Sequence, residues 1–391
     1  MNFYIITKLL KKLVLIFLTI FIVLNIISFL LLKSFYKVNL LDYENFLKEK
    51  KKYLKETSNS SIPHPFIGNL VLSDEIFSNE FNSEPLFSKI SKYEVNDPIK
   101  ILIVGGSVAE HFSNRGLNYD EDLFFLNVNK KFNTNRFEVY NAAFGGGKQP
   151  QQYYKMLYLD LLGFKPDIVI NIDGFNEIVL PIHDNVAINN PAIYPRSYSL
   201  HLNATAADRS CAKANNKLIN KETRIPIIEF FSWAYITRCH KKIIYNNNDD
   251  WWTNILKKNY DYSNEDYPRI SKEIWVRSSN KMQEFTDLHE ISYIQILQPN
   301  QYLKGSKKLS KKEIKDFINF RPYGDLLAKH YHLLKFEDTF VKNRIDMRYI
   351  FKNDEKTAYA DNCCHLNRYG MEKIINKIFE DYESVFYDKL K

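Results

Sequence analysis

The sequence is poor in cysteine and lacks the residue spacings that mark metal and nucleotide sites. Its 391 residues include four cysteines, with no Cys-x-x-Cys pair and no Cys/His cluster of zinc-ligand spacing, so we predict no metal. The adjacent Cys363 and Cys364 are not expected to bridge each other, whereas Cys211 and Cys239 could pair in an oxidising compartment. No G-x-x-x-x-G-K-[ST] loop is present and no G-x-G-x-x-G turn follows the first predicted strand, which argues against a nucleotide cofactor.

An arginine-rich stripe with interleaved aromatic residues is also missing. The formal net charge is +8, but the surplus is spread over lysines along the chain. This distribution is that of an ordinary surface, or of one weakly attracted to an anionic membrane or an acidic glycan, and it argues against a nucleic-acid partner. Hydrophobic residues make up 45% of the chain and aromatic residues 15%, which is enough to build a large core.

The most hydrophobic stretch lies near the start of the sequence. Leu13–Leu32 carries no charged residue, and about 20 apolar residues match the hydrocarbon thickness of a bilayer. No small-residue cleavage site follows, so we expect a retained anchor and not a cleaved signal peptide. Lys8, Lys11 and Lys12 favour a cytoplasmic N-terminus, although the basic segment Lys48–Glu56 competes. We predict a single-pass protein of the inner (cytoplasmic) membrane with an extracytoplasmic, periplasmic C-terminal body.

Beyond the anchor, a polar and lysine-rich stretch gives way to alternating strand-like and helix-like segments. We expect an anchor at residues 1–35, a stalk and N-terminal extension at 36–96, and a main domain at 97–391. Alternation of this kind is typical of a parallel sheet covered by helices on both faces. The predicted strands lie within 99–106, 136–147, 166–177 and 291–299, and the predicted helices within 120–132, 149–164, 271–290 and 367–389. Residues of about 180–270 break the rhythm and are predicted to form an insertion, whose Trp251 and Trp252 belong to its core or to a sugar-stacking surface.

Three of the predicted strands end in residues that suggest acyl-transfer chemistry. Ser107 follows the first strand, the glycines Gly145–Gly147 follow the second, and Asn176 follows the third. Because ligands of open parallel sheets bind outside the carboxyl ends of the strands, we expect these groups to share one crevice. A serine hydroxyl there can attack an ester carbonyl if hydrogen-bond donors stabilise the oxyanion. The predicted donors are the Ser107 N–H, a glycine N–H and the side-chain amide of Asn176.

A serine nucleophile needs a base, and the segment Ala360–Gly370 supplies one. His365 is predicted to accept the proton of Ser107, with a neighbouring group that orients the imidazole. Asp361 precedes His365 by four positions and Asn362 by three, so three arrangements stay open: a bulged loop in which Asp361 reaches His365, orientation by Asn362, or a Ser-His pair without an acid. The histidines interpreted as surface or packing residues are His111, His183, His240, His330 and His332.

These segments resemble the sequence blocks of the SGNH (GDSL-like) hydrolases. The blocks of the resemblance are Gly105-Gly106-Ser107 after a strand, Asn141–Gly146, Gly174–Glu177, and the final D-N-C-C-H-L-N-R-Y-G. Gly106 stands where the more familiar G-D-S has an aspartate. The resemblance implies an α/β fold, namely a flavodoxin-like three-layer α/β/α sandwich with a central parallel sheet, beside the N-terminal transmembrane helix.

The resemblance also implies roles for the site residues. Ser107 would be the nucleophile, with His365 and Asp361 as its partners. Gly146, or Gly145 as the alternate, would complete an oxyanion hole with Ser107 and Asn176. The implied activity is that of a serine esterase that hydrolyses O-acyl, for example O-acetyl, esters through an acyl-enzyme, and the anchor points to a cell-surface glycan as the substrate.

Two other functions stay open. One is an O-acyltransferase that uses the same serine and delivers the acyl group to a sugar hydroxyl. The other is a non-catalytic glycan-binding or assembly factor on the same fold, which the four-residue spacing of Asp361 and His365 favours. The expected partners are the membrane and an acylated glycan or other ester, with no nucleic acid, nucleotide, cofactor or metal.

Overall fold

The chain divides into two units. The computed structural model describes residues 3–35, 42, 44, 61–64, 68–71, 88–90, 96–112, 122–186, 191–196, 225–234, 266–317 and 323–391. The smaller unit comprises Met1–Ser60 and Leu200–Asp250, and the larger comprises Ser61–Ser199 and Trp251–Lys391. All of the sequence blocks that suggest chemistry belong to the larger unit.

The smaller unit begins with a long apolar helix, α1 (Phe3–Phe35). Its segment Lys8–Ser34 is long and apolar enough to cross a membrane. Most of its large apolar side chains are exposed, while Ser28 and Leu32 are buried on one face. On the same face, Asn25 Oδ1 accepts a hydrogen bond from the Ile227 N–H (3.2 Å), which adjoins the helical residues 226–234. The N-terminal helix that the sequence predicts is therefore present, with the dimensions of a membrane span.

The larger unit is built on a six-stranded sheet. The described strands are β1 (Ser61–His64), β2 (Gly68–Val71), β3 (Ser88–Ile90), β4 (Ile99–Gly105), β5 (Phe137–Asn141), β6 (Ile168–Asp173), β7 (Ser292–Leu297) and β8 (Asn343–Asp346). Five of them run parallel in the order β5-β4-β6-β7-β8, and β3 pairs antiparallel with β5 at one edge. Along the chain this is second, first, third, fourth, fifth, the strand order of flavodoxin-like folds. The predicted α/β class is confirmed. Strands β1 and β2 form a separate antiparallel pair.

Helices cover both faces of the sheet. The described α-helices of the larger unit are α2 (Ser107–Glu110), α3 (Leu123–Lys131), α4 (Gln151–Leu161), α5 (Phe175–Val179), α6 (Asp266–Leu288), α7 (Lys311–Phe317), α8 (Tyr323–His330), α9 (Arg368–Asp381) and α10 (Glu383–Leu390). Side chains of a strand alternate between faces. Accordingly, Ile101 and Ile103 of β4 belong to a core shared with α3 and α9, whereas Leu102 and Val104 belong to a core shared with α4 and α6.

The C-terminal helix differs from its prediction. A single helix was expected over residues 367–389, but the helix breaks between α9 and α10 at Tyr382, whose backbone angles (φ −125°, ψ 31°) are not helical. The Tyr382 hydroxyl donates to the Arg344 carbonyl of β8 (3.0 Å). Beyond the break, Phe386 is fully buried and stacks on Phe132, with ring centroids 5.0 Å apart. The packing of the Phe386 ring thus favours a break in the helix, although the sequence pattern is that of one continuous helix.

Some predictions fall outside the described residues. Most of the stalk (36–96) and most of the insertion (about 180–270) are among them. The same holds for Cys211, Cys239, His240, Trp251 and Trp252. Their pairing, packing and sugar-stacking roles stay predictions.

Candidate active site

Ser107 lies where strand β4 passes into helix α2. It is the first residue of the helix, directly after Gly105 and Gly106. A Cβ atom on Gly106 would lie 2.0 Å from Asn176 Nδ2, which is far inside van der Waals contact. The glycine that replaces the more familiar aspartate is therefore needed here, because the side-chain amide of Asn176 comes directly against the serine turn.

His365 connects Ser107 to Asp361. The imidazole Nε2 lies 2.7 Å from Ser107 Oγ, and Nδ1 is hydrogen-bonded to Asp361 Oδ2. The other carboxylate oxygen, Asp361 Oδ1, accepts the backbone N–H groups of Cys363 (2.9 Å), Cys364 (3.3 Å) and His365 (3.3 Å). The loop thus bulges around its own carboxylate. Among the three arrangements that the sequence left open, the structure has the one in which Asp361 reaches His365.

Three consecutive side chains that follow β7 hold three consecutive carbonyl groups of this loop. The pairs are Gln301 Nε2 with the Asp361 carbonyl (3.1 Å), Tyr302 OH with the Asn362 carbonyl (2.5 Å) and Asn300 Nδ2 with the Cys363 carbonyl (3.4 Å). The Ala360 N–H donates to the His365 carbonyl and closes the loop (2.8 Å). Side chains of residues 300–302 hold the carbonyl groups of the loop, and the Asp361 carboxylate holds its N–H groups. These hydrogen bonds fix the orientations of both Asp361 and His365.

The second and third blocks meet beside Ser107. Asn176 Nδ2 donates a hydrogen bond to the Gly147 carbonyl (2.7 Å). A primary amide has two N–H groups, so the second N–H can donate a hydrogen bond to an oxyanion. Gly146 has a φ of +78°, in the left-handed region that favours glycine. The Arg196 side chain lies over it, since a Cβ on Gly146 would be 3.0 Å from Arg196 Cδ. Gly145 is exposed, and a Cβ there would lie 3.5 Å from Glu110 Oε2 of helix α2, which begins with Ser107.

Two side chains tie the second block to its neighbours. Asn141 Nδ2, at the end of β5, donates to the carbonyls of Ala109 (3.1 Å) and Glu110 (3.2 Å) in helix α2. Lys155 Nζ, from α4, donates to the Ala142 carbonyl (2.6 Å). The glycine turn and the serine helix are therefore held to each other by buried polar contacts.

A pair of buried carboxylates supports the third block, and the sequence analysis gave neither of them a role. Glu177 accepts the Gly174 N–H (2.5 Å) and the Gln149 N–H (3.2 Å), so it joins the Asn176 turn to the segment after the glycines. Gln152 Nε2 lies 3.3 Å from Glu177 Oε1 and 3.4 Å from Asp173 Oδ1. Burial raises the pKa of both carboxyl groups, and the charge of Glu177 raises the pKa of Asp173 further. The sequence signals for these two carboxylates were the position of Asp173 at the end of β6 and that of Glu177 in the G-x-N-E block.

A second histidine packs against His365. The ring centroid of His111 lies 4.6 Å from that of His365. His111 is 7% exposed, and its Nδ1 has no hydrogen-bond partner among the described residues. Burial, followed by the charge of His365, lowers the pKa of His111 to about 4, against an opposing effect of Asp361. His111 is therefore neutral at neutral pH. His111 is thus a packing residue, one of the two roles predicted for it, but its place beside His365 was not predicted. The available signal was its position four residues after Ser107, on the same side of a helical turn.

The electrostatics of the site keep Asp361 ionised. Burial acts to raise the pKa of its carboxyl, but the hydrogen bond and charge of His365 and the backbone N–H groups outweigh burial, and the pKa is lowered. Within the described residues, Cys363, Cys364 and His365 form a group whose possible metal-ligand atoms lie within 4.8 Å of one another. Both imidazole nitrogens are already engaged, by Asp361 and Ser107, so a metal there would have to break one of these contacts.

Several solved structures are similar to this chain. A GDSL-like lipase candidate from Parabacteroides merdae has 14% identity and a TM-score of 0.34, over 75% of this chain and 99% of that one. An acetyl xylan esterase has 14% identity and a TM-score of 0.33, over 73% and 100%. A mutant of an acetyl-xylooligosaccharide esterase from Geobacillus stearothermophilus has 10% identity and a TM-score of 0.37, over 74% and 96%. No protein-family model matches the chain, and no curated protein matches its sequence.

The strand order and the hydrogen bonds that join Ser107, His365 and Asp361 are observed directly in this chain and do not depend on these comparisons. Ser107, His365, Asp361 and Asn176 come together near the Gly147 carbonyl, at the carboxyl ends of neighbouring parallel strands, where ligands of such sheets bind. The chain is an α/β protein with the flavodoxin-like strand order, and the four sequence blocks that resemble those of the SGNH (GDSL-like) hydrolases meet at the carboxyl ends of its central parallel strands.

Proposed function

We propose that the protein is a serine esterase of the SGNH type that hydrolyses O-acyl esters through an acyl-enzyme. The observation that carries the proposal is the unbroken hydrogen-bonded row from Ser107 through His365 to Asp361. A serine with a base, and a base with a carboxylate, is the arrangement that nucleophilic acyl transfer requires. The contact of Asp361 with His365 also removes the sequence feature that favoured a non-catalytic binding factor.

In the proposed reaction, Ser107 Oγ attacks the ester carbonyl carbon while His365 Nε2 takes its proton. The ionised Asp361 stabilises the imidazolium. The N–H groups of Ser107 and Gly146 and the amide of Asn176 donate to the oxyanion. His365 then gives its proton to the leaving oxygen, which departs as an alcohol and leaves the acyl group on Ser107. A water molecule, deprotonated by His365, attacks the acyl-enzyme. The acyl group then leaves Ser107 as a carboxylic acid, and His365 returns the proton to Ser107 Oγ.

The substrate and location follow from the rest of the chain. We propose that the ester is an O-acyl group, such as O-acetyl, on a glycan outside the cytoplasmic membrane. Helix α1 supports a single-pass anchor in the inner membrane, with a stalk at 36–96 and a periplasmic hydrolase domain at 97–391 that contains an insertion at about 180–270. The net charge of +8 is compatible with an acidic glycan or an anionic membrane surface.

Labelling by a fluorophosphonate probe tests the nucleophile. The full-length protein in detergent would be compared with Ser107→Ala, His365→Ala and the control Asn362→Ala, with folding checked by circular dichroism. We expect label on the wild type and on Asn362→Ala, and none on the other two. A folded wild type that takes no label would overturn the proposal.

A product balance separates hydrolysis from acyl transfer. The protein would be incubated with p-nitrophenyl acetate and an oligosaccharide, and free acetate and acetylated sugar would be measured together. Release of acetate equal to the ester consumed supports the hydrolase. Acetylated sugar formed in place of acetate would identify an O-acyltransferase that uses the same serine.

A further inference from the structure

Two adjacent cysteines belong to the loop that joins the carboxylate residue Asp361 to the imidazole residue His365. Cys363 and Cys364 lie between Asp361 and His365, and their Sγ atoms are 3.1 Å apart with both thiols free. Cys364 is 1% exposed, whereas Cys363 is half-buried and so reachable from solvent. Adjacent cysteines rarely bridge each other, but here the loop turns both side chains to the same side and brings the sulfur atoms into contact.

The peptide groups of these cysteines are part of what holds Asp361. Its Oδ1 accepts the N–H groups of Cys363 (2.9 Å) and Cys364 (3.3 Å), while its Oδ2 hydrogen-bonds His365. The Cys363 carbonyl is held in turn by Asn300 (3.4 Å). Any rotation of the peptide between the two cysteines therefore acts directly on the carboxylate that orients the base.

We propose that Cys363 and Cys364 form a reversible thiol-modification site, at which oxidation to a disulfide switches off the serine site. The oxidant is a small-molecule or protein disulfide. The Cys363 thiolate attacks one of its sulfur atoms and releases the first thiol, which leaves a mixed disulfide on Cys363. The Cys364 sulfur then attacks the Cys363 sulfur and releases the second thiol. In sum, two cysteine thiols and one disulfide become one Cys363–Cys364 disulfide and two thiols.

The exposures of the two cysteines suit this order of steps. The reachable Cys363 makes the first attack, and the buried Cys364 waits in contact with it to resolve the mixed disulfide. The hydrogen bond to Cys363 and burial both raise the pKa of Cys364, so it is the poorer first nucleophile.

Closing the bond must move the loop. Sulfur atoms in a disulfide are about 2.05 Å apart, and the Cα atoms it joins are usually 4.4–6.8 Å apart, whereas neighbouring Cα atoms lie about 3.8 Å apart. The two sulfur atoms, now 3.1 Å apart, must therefore come about 1 Å closer. Because the peptide fixes the Cα separation, rotation about the backbone and side-chain bonds on both sides of the peptide between Cys363 and Cys364 has to close this gap. The N–H of this peptide then leaves Asp361, and His365 loses its alignment with Ser107. A displacement of about 1 Å at a reacting group can cost about 100-fold in rate.

The test uses the full-length protein in detergent, with Cys211→Ser and Cys239→Ser so that these thiols do not contribute. Oxidised glutathione is the oxidant and a phosphine the reductant. Mass spectrometry of the peptide that contains Cys363 and Cys364 reports the bond, and hydrolysis of p-nitrophenyl acetate reports kcat. We expect the oxidised peptide to lose two hydrogens, kcat to fall about 100-fold, and the phosphine to restore both.

Single variants separate the two steps. Cys363→Ala is expected to show equal kcat before and after oxidation, and Cys364→Ala to retain a glutathione adduct on Cys363. A peptide that keeps both thiols after oxidation, or a disulfide that leaves kcat unchanged, would overturn the inference. The effect on kcat rests on the proposed esterase function. Absence of ester turnover in the reduced protein would count against that function, whereas the peptide mass decides the modification site in either case.

Discussion

Replacing His111 with phenylalanine tests whether a neutral, buried imidazole stands beside His365. Burial and the charge of His365 lower the pKa of His111 from 6.5 to about 4, while Asp361 opposes them. Between these pH values the unfolded chain binds more protons at this site than the folded chain, so the folded state loses stability as the pH falls. From pH 7.5 to pH 5 this loss is about 2 kcal/mol, and below pH 4 it approaches about 3 kcal/mol.

Phenylalanine keeps the aromatic packing of His111 but does not titrate. The free energy of unfolding of His111→Phe is therefore expected to fall by about 2 kcal/mol less than that of the wild type between pH 7.5 and pH 5. Urea unfolding of the full-length protein, followed by tryptophan fluorescence that includes the buried Trp275, measures this difference. His332→Phe, at an exposed histidine, is the control and should follow the wild type. Parallel pH profiles for wild type and His111→Phe would refute the reasoning.

Three further substitutions test the site through ester hydrolysis by the full-length protein. Asp361→Asn is expected to lower kcat about 10⁴-fold, and Asn362→Ala to change it by about 2-fold at most; equal effects would speak against Asp361 as the orienting group. Asn176→Ala should lower kcat about 10²–10³-fold, whereas a change confined to KM would argue against an oxyanion donor. Gly106→Asp, which restores the more familiar G-D-S, should lower kcat as much as Asn176→Ala does, because its Cβ would lie 2.0 Å from Asn176 Nδ2. Gly305→Asn is the control, because a Cβ there meets nothing within 4 Å and asparagine tolerates the φ of +77°. Full activity of Gly106→Asp would contradict the geometry.

The positions of Ser107 and of the glycine turn could be predicted because their signals are local. A buried apolar run followed by Gly105-Gly106-Ser107 marks a strand that ends in a tight turn, and the same pattern recurs before Gly145. The side chain that contacts His365 could not be identified in this way. A spacing of four or three residues before His365 does not say which side chain a loop turns inward, and this choice depends on the contacts that Gln301 and Tyr302 make with the loop.

Other contacts join elements that are far apart in sequence and carry no periodic signal. Strand β8 has a single buried residue, Ile345, so its sequence lacks the alternation of apolar and polar residues that would predict a strand. The break at Tyr382 follows from its bond to Arg344 and from the burial of Phe386, neither of which a helical pattern contains. The network of Asp173 and Glu177 likewise depends on side chains that three different segments bring together.

The sequence by itself determined the apolar span near the start of the chain, the α/β class and the residues that we propose for acyl transfer. These depend on hydrophobic runs, turn glycines and residue types, which act over a few neighbouring positions. Only the tertiary structure decided that Asp361 and not Asn362 meets His365, that His111 packs on His365, and that two thiols touch within the same loop. The hydrogen bond from His365 to Ser107 joins residues 258 positions apart, and such a contact forms only when the packed sheet brings the ends of its strands together.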